Sequence, residues 1–217
     1  MHAFFRWFTA SLLLVVVLGA SLAAGEKNGP IKLFDGKTLE GWTAHLRDGA
    51  KMEDVWSVQD GVLVCKGKPV GYIRTKKKYA NFVLTLQWRF DPKKGPGNSG
   101  VLLRQVGEDK VWPKSIEAQL HHRNAGDFWN IDKVKMTVDA ARTKGRGTVK
   151  RHESNERPLG EWNDYKIVVD GGDVKLYVNG LLQNEATGVE EVAGSICLQS
   201  EGAAISLRNI ELTPIKK

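Results

Sequence analysis

Cysteine is scarce in this sequence: Cys65 and Cys197 are the only two in 217 residues, so a disulfide-dense scaffold is excluded. Each lies within an apolar strand-like run, where a buried free thiol is the expected occupant, although an oxidising compartment would allow the two to pair. No stretch after residue 24 carries a long apolar stripe at helical spacing, which excludes a helical bundle. Internal repeats, low-complexity runs and linkers are also missing, so one main domain is expected. The glycine-rich stretch Gly95-Pro96-Gly97-Asn98-Ser99-Gly100 is followed by no Lys-Ser or Lys-Thr pair and is not a phosphate loop. A strong charge of one sign is lacking too, since 32 Lys and Arg face 25 Asp and Glu for a formal +7. The clusters Lys76-Lys77-Lys78 and Lys93-Lys94 flank strand-like segments, where lysines protect sheet edges. No aromatic-basic motif accompanies them, and nucleic acid is not an expected partner.

Long hydrophobic runs reduce to a single one, Ala10 to Leu18, which follows Arg6 and ends in Ser21-Leu22-Ala23-Ala24. It is too short to cross a bilayer core of about 30 Å, which takes about 20 apolar residues, and it reads as a secretory signal peptide cleaved after Ala23. The expected organisation is therefore a signal over residues 1–23, a tail over 24–30 and one domain over 31–217. The mature chain, with no transmembrane segment, is expected in the periplasm or medium.

What the rest of the chain does have is a period of two. Phe82, Leu84, Leu86, Trp88 and Phe90 alternate with Val83, Thr85, Gln87 and Arg89, placing one set on a single strand face. Similar runs occur at 55–58, 62–65, 99–104, 115–121, 165–169, 174–178, 195–199 and 205–212. Asp60-Gly61, Asp170-Gly171-Gly172-Asp173 and Asn179-Gly180 supply the positive φ angles of tight hairpins. This is the pattern of an all-β sandwich or barrel, and the length suits a jelly roll. The irregular stretch 124–158 is long for a loop in a compact domain, and its aromatic and charged content marks it as functional.

Over 115–121 the same alternation puts Glu117, Gln119 and His121 on one face and Ile116, Ala118 and Leu120 on the other. The polar set is either a site or a solvated strand face. Glycosidases need a pair of carboxylates and this strand offers one, so a standard retaining mechanism on it is unsupported. Arg104 carries a planar fork of donors suited to carboxylates or sugar hydroxyls. Asp127 and His152 offer hydrogen bonds, a proton relay or metal ligation. Trp129 and Trp162 offer rings for stacking on a sugar, or serve as core anchors.

A longer series then becomes recognisable: Leu33-Phe34-Asp35-Gly36-Lys37 with Leu39-Glu40-Gly41-Trp42, Trp56-Ser57-Val58-Gln59-Asp60-Gly61-Val62-Leu63, Gly97-Asn98-Ser99-Gly100-Val101 with Arg104, Glu117-Ala118-Gln119, Gly160-Glu161-Trp162-Asn163, Val178-Asn179-Gly180, and Ile196-Cys197-Leu198-Gln199 through Arg208-Asn209-Ile210. Together these resemble the 3-keto-disaccharide hydrolase family, over residues 31 to 214. The resemblance implies a concanavalin A-like jelly roll and action on glycosides already oxidised at C3, as hydrolase or as 1,2-lyase and hydratase. A C3 ketone acidifies the C2 proton, so one base suffices to start elimination at C1. By position in the family motifs, Glu117 is the candidate base, with Gln119 and Arg104 to orient the sugar or stabilise developing oxyanion charge, and His152, from its own side-chain chemistry, completes the catalytic candidates. Asn98, Asp127, Trp129, Trp162 and His121 are the candidates for holding the sugar. No cofactor is required by this reading, and the resemblance also admits a divalent metal. A lectin-like carbohydrate-binding module is the competing expectation.

Overall fold

In the computed structural model, the residues described are 1–2 and 29–216, so the expected signal peptide and most of the tail lie outside them. Sixteen strands dominate the described chain: β1 (Ile31–Lys32), β2 (Trp42–Leu46), β3 (Trp56–Gln59), β4 (Val62–Cys65), β5 (Gly71–Thr75), β6 (Phe82–Phe90), β7 (Gly100–Gln105), β8 (Ser115–Gln119), β9 (Phe128–Ile131), β10 (Thr143–Lys144), β11 (Gly147–Thr148), β12 (Asn163–Asp170), β13 (Asp173–Val178), β14 (Leu181–Ala186), β15 (Ser195–Ser200) and β16 (Ile205–Pro214). They form two eight-stranded sheets. The first runs β14-β13-β12-β6-β16-β4-β3, with β1 also on β16, and the second runs β10-β11-β9-β8-β7-β15-β5-β2. Among the described residues, helix is confined to one short α-turn, Met52–Val55, and two single 3₁₀ turns. No helix among the described residues is long and apolar enough to cross a membrane.

The turn chemistry acts where the sequence places it. Asp60 and Gly61 join β3 to β4 with φ of 50° and 77°, and Asn179 and Gly180 join β13 to β14 with φ of 46° and 83°. Between the sheets, the alternating set of β6 is buried from Phe82 to Phe90. It packs with Tyr165, Ile167 and Val169 of β12 against Val101, Leu103, Ile116, Ala118, Ile196 and Leu198 of the second sheet. Each large apolar side chain so buried contributes about 1.5–3 kcal/mol.

A smaller apolar group, Tyr72, Leu102, Ile131 and Cys197, lies on the outward face of the second sheet, yet it too is buried. The connection from β7 to β8 reaches over it: Asp109 accepts from the Tyr72 hydroxyl at 2.7 Å and from Arg74 at 2.9 Å, two strands away from β7. Both cysteines are free and buried. Cys65 belongs to the main core and Cys197 to the outward cluster, so they sit on different faces of the sandwich.

The structure shortens one expected strand and orders one expected loop. β8 stops at Gln119 because that side chain's Oε1 accepts from the backbone N–H groups of Leu120 and His121, both at 2.9 Å. The stretch 124–158 contributes β9, β10 and β11 to the edge of the second sheet.

Candidate functional site

The site is assembled by sheet register. Opposed residues on antiparallel strands share a face, and the second sheet carries the row Arg74, Cys197, Leu102, Glu117, Trp129, Gly147 across β5, β15, β7, β8, β9 and β11. The next row holds Gln199 beside Gly100 and Gly100 opposite Gln119. Gln119 is linked in turn to Asp127 through its backbone N–H at 3.0 Å. Past the end of the ladder, His122 N–H donates to Gly97 O at 2.9 Å, which sets Asn98 beside His121 on the same face. Sheet register thus places Glu117, Gln119 and Trp129 on one face of the second sheet, with Asn98, His121 and Asp127 on the connections that flank β7, β8 and β9.

Glu117 is its centre. The residue is 5% exposed, and its Oε1 is buried without a hydrogen-bond partner, as are Gln199 Oε1 and Asn98 Oδ1. Burial pushes the Glu117 carboxyl up to about 8, and the negative charge of Glu201 adds to the rise, while Arg146 and Gln199 oppose it. Gly100 forms the floor, since a Cβ there would stand 2.3 Å from Gln199 Oε1 and 2.5 Å from Glu117 Oε1.

Around the rim, Trp112 is 43% exposed and donates from its indole nitrogen to Glu201 Oε1 at 3.3 Å. Burial raises the Glu201 carboxyl as well, against the Trp112 bond and the charges of Arg146 and His121. The Arg146 guanidinium lies 5.2 Å from the centre of the Trp129 ring. Burial likewise raises the Asp127 carboxyl, although its Oδ1 accepts from the Lys150 backbone at 2.9 Å and lies 3.8 Å from the Lys150 ammonium. The His121 ring is exposed, with Nδ1 3.0 Å from the Asn124 amide.

Three expected site residues lie elsewhere. Arg104, at the far end of β7, adopts φ of 51° and turns its guanidinium onto Ala80 O, Glu190 O, Asn81 Oδ1 and Gly171 O at 2.8–3.2 Å. Its donors are consumed in tying strand connections together, which corrects the expectation that it faces Glu117. Trp162 sits between Arg89 and Arg208, 4.5 and 4.1 Å from their guanidinium carbons, on the outward face of the first sheet. That places it on the opposite side of the sandwich from Glu117. His152 is exposed beside the edge strand β14, its backbone N–H donating to Gln183 Oε1 at 3.3 Å. A cavity of about 320 Å³ lined by Phe128, Asn130, Met136, Val138 and Thr148 opens on the other face of β9 and meets the site only through Arg146.

Gln199, Glu201, Arg146 and Trp112 are the site residues that the sequence reading missed. The alternation applied to Glu117 and Gln119 would have found two of them, because Cys197, Gln199 and Glu201 follow the same period of two. Arg146 and Trp112 lie on connections whose path no periodicity reveals. Among the described residues no three His, Cys, Asp or Glu side chains are grouped as ligands of a metal ion would be.

One family profile, the 3-keto-α-glucoside-1,2-lyase-like domain, matches residues 29–213, a span that includes this face. The chain belongs to that family. A curated relative, the 3-keto-disaccharide hydrolase of Bacteroides thetaiotaomicron, is 29% identical over 167 residues, which cover 69% of this chain and 55% of the relative. The chain therefore spans about half the length of that protein. Among solved structures, a candidate glycosyl hydrolase from Parabacteroides distasonis aligns with a TM-score of 0.65 at 23% identity, covering 87% of this chain and 95% of that one. The Bacillus licheniformis β-glucanase aligns at 0.59 with 10% identity, over 88% of this chain and 100% of its own. The carbohydrate-binding module CBM66 from Bacillus subtilis aligns at 0.58 with 14% identity, over 78% and 93%. These likenesses establish the fold as a concanavalin A-like jelly-roll sandwich.

Proposed function

We propose that this chain is an exported carbohydrate-active enzyme that cleaves 3-keto-glycosides, 3-keto-disaccharides among them, by removing the C2 proton and expelling the C1 substituent. The observation that carries the reading is the Glu117 carboxyl, buried with one oxygen unpartnered on a floor that Gly100 keeps clear. A buried oxygen without a protein partner is one that a substrate hydroxyl can satisfy. Family membership and the name of the Bacteroides relative supply the substrate class.

Glu117, once ionised, takes the proton from C2, which the adjacent ketone acidifies, and the electron pair passes to the C3 oxygen as an enediolate. The side-chain amides of Gln199 and Asn98 and the Arg146 guanidinium are the donors on this face for that developing charge. Collapse of the enediolate restores the ketone, forms the C1–C2 double bond and releases the C1 oxygen. Water then adds at C1 as Glu117 returns its proton to C2. Desolvation suits this task, since it brings a carboxyl toward neutrality, where a base is strong enough for a carbon acid.

Incubation of the purified chain with 3-keto-trehalose and 3-keto-sucrose, beside unoxidised trehalose and sucrose, tests the reading. Cleavage restricted to the oxidised pair supports it, and cleavage of the unoxidised sugars or of neither pair contradicts it. One observation favours a second reading as a binding module, namely the exposed Trp112 on the same face as Trp129. That reading predicts sugar affinity by calorimetry with no turnover. Export is checked by fractionation, which should recover a chain lacking residues 1–23 outside the cytoplasm.

A further inference from the structure

A second carboxylate stands on the same face as Glu117. Glu201 follows Gln199 by one strand period, its Oε1 is held by the indole N–H of Trp112 at 3.3 Å, and it is partly buried. Between β8, which carries Glu117, and β15, which ends one residue before Glu201, runs β7, whose first residue is Gly100. Near this face lie the buried, unpartnered oxygens of Glu117, Gln199 and Asn98, the first two on residues 5% and 2% exposed. Three unpartnered oxygens on one face are an arrangement that the hydroxyls of a ligand would complete.

We propose that Glu201 is the proton donor to the oxygen that leaves C1. This rests on the function proposed above and adds the second half of its proton economy. As the enediolate collapses, the C1–O bond breaks, and the departing oxygen takes the proton from the Glu201 carboxyl and leaves as a neutral alcohol. Glu201, now a carboxylate, accepts a proton from the water that adds to C1, while Glu117 returns its proton to C2. Both acids end as they began. Their charges favour a single shared proton, because ionisation of either one disfavours ionisation of the other, and Arg146 balances the remaining negative charge. Trp112 acts as a positioning residue, fixing the Glu201 carboxyl through its N–H.

Leaving-group chemistry tests this. A 4-nitrophenolate departs without a proton, whereas a sugar alkoxide needs one. Glu201→Gln should therefore lose roughly 10²-fold or more in kcat on 3-keto-trehalose and less than about threefold on 4-nitrophenyl 3-keto-glucoside, with C2 deuterium exchange retained. Acetate added to Glu201→Ala should restore turnover of 3-keto-trehalose, a rescue that a structural role would not give and that serves also if the glutamine variant fails to fold. Equal losses on both substrates, no loss on either, or no acetate rescue would overturn the assignment to Glu201 alone. A wild-type chain inactive on both substrates would instead defeat the underlying function, and this inference with it.

Discussion

Glu117 and Gln199, on strands separated by β7, place their Oε1 atoms where a Cβ on Gly100 would stand, within 2.5 Å and 2.3 Å of it. Gly100 has no positive φ to explain it, so the demand for glycine there is one of space. Gly100→Ala should cost about 1–3 kcal/mol of stability through overpacking. It should also reduce turnover by on the order of 10²-fold, because about 1 Å of displacement at a reacting carboxyl is that expensive. Thermal unfolding and steady-state kinetics on the same preparation check both. Unchanged kinetics would remove Gly100 from the site.

The buried carboxyl also has a stability signature. Glu117 ionises near 4.5 in an unfolded chain and near 8 here, so the folded state holds one more proton between those values. The stability gained from the neutral form is fully present below about 4.5, declines as pH rises and is lost by the time pH passes about 8. Over that window Glu117→Gln should become progressively more stable relative to the parent, on the order of 1 kcal/mol per pH unit. Urea melts of both proteins at pH 5, 6, 7 and 8 measure it, and parallel curves would show that Glu117 is not perturbed.

Arg104 and Trp162 should behave as structural residues. Arg104→Ala leaves a set of buried carbonyls without donors and should destabilise by about 3 kcal/mol or more, with KM unaltered in the fraction that folds. Trp162→Ala should leave kcat/KM within about twofold, since the ring lies across the sandwich from the site. A selective loss of turnover in a well-folded Trp162→Ala protein would relocate the site.

What the sequence disclosed is explained by the range of the forces involved. The period of two fixes which side chains of one strand share a face, so β6, the core and the Glu117–Gln119 pairing were legible in a short window. Asn-Gly and Asp-Gly likewise act within four residues, and the hairpins they close formed as read. The path of a connection is not local. Nothing in the neighbourhood of Trp112 shows that Asp109 will be drawn across two strands to Tyr72 and Arg74, carrying the indole to Glu201. Arg104 was misplaced for a related reason: strand alternation puts it on the face of Leu102, but its positive φ breaks the alternation and turns the guanidinium to Ala80 and Gly171. Trp162 fits its family motif well, yet no motif states which side of a sandwich a residue faces.

The central claim is that Glu117 removes a proton from C2, and exchange of that proton with solvent measures the step in isolation. A 3-keto-disaccharide incubated in deuterated water with the wild-type chain should show C2 deuterium by NMR in both the product and the recovered substrate. With Glu117→Gln, exchange should vanish and turnover should fall by roughly 10²-fold or more, while substrate binding stays within a few fold. Wild-type turnover with no deuterium at C2, or exchange that survives in Glu117→Gln, would contradict the account.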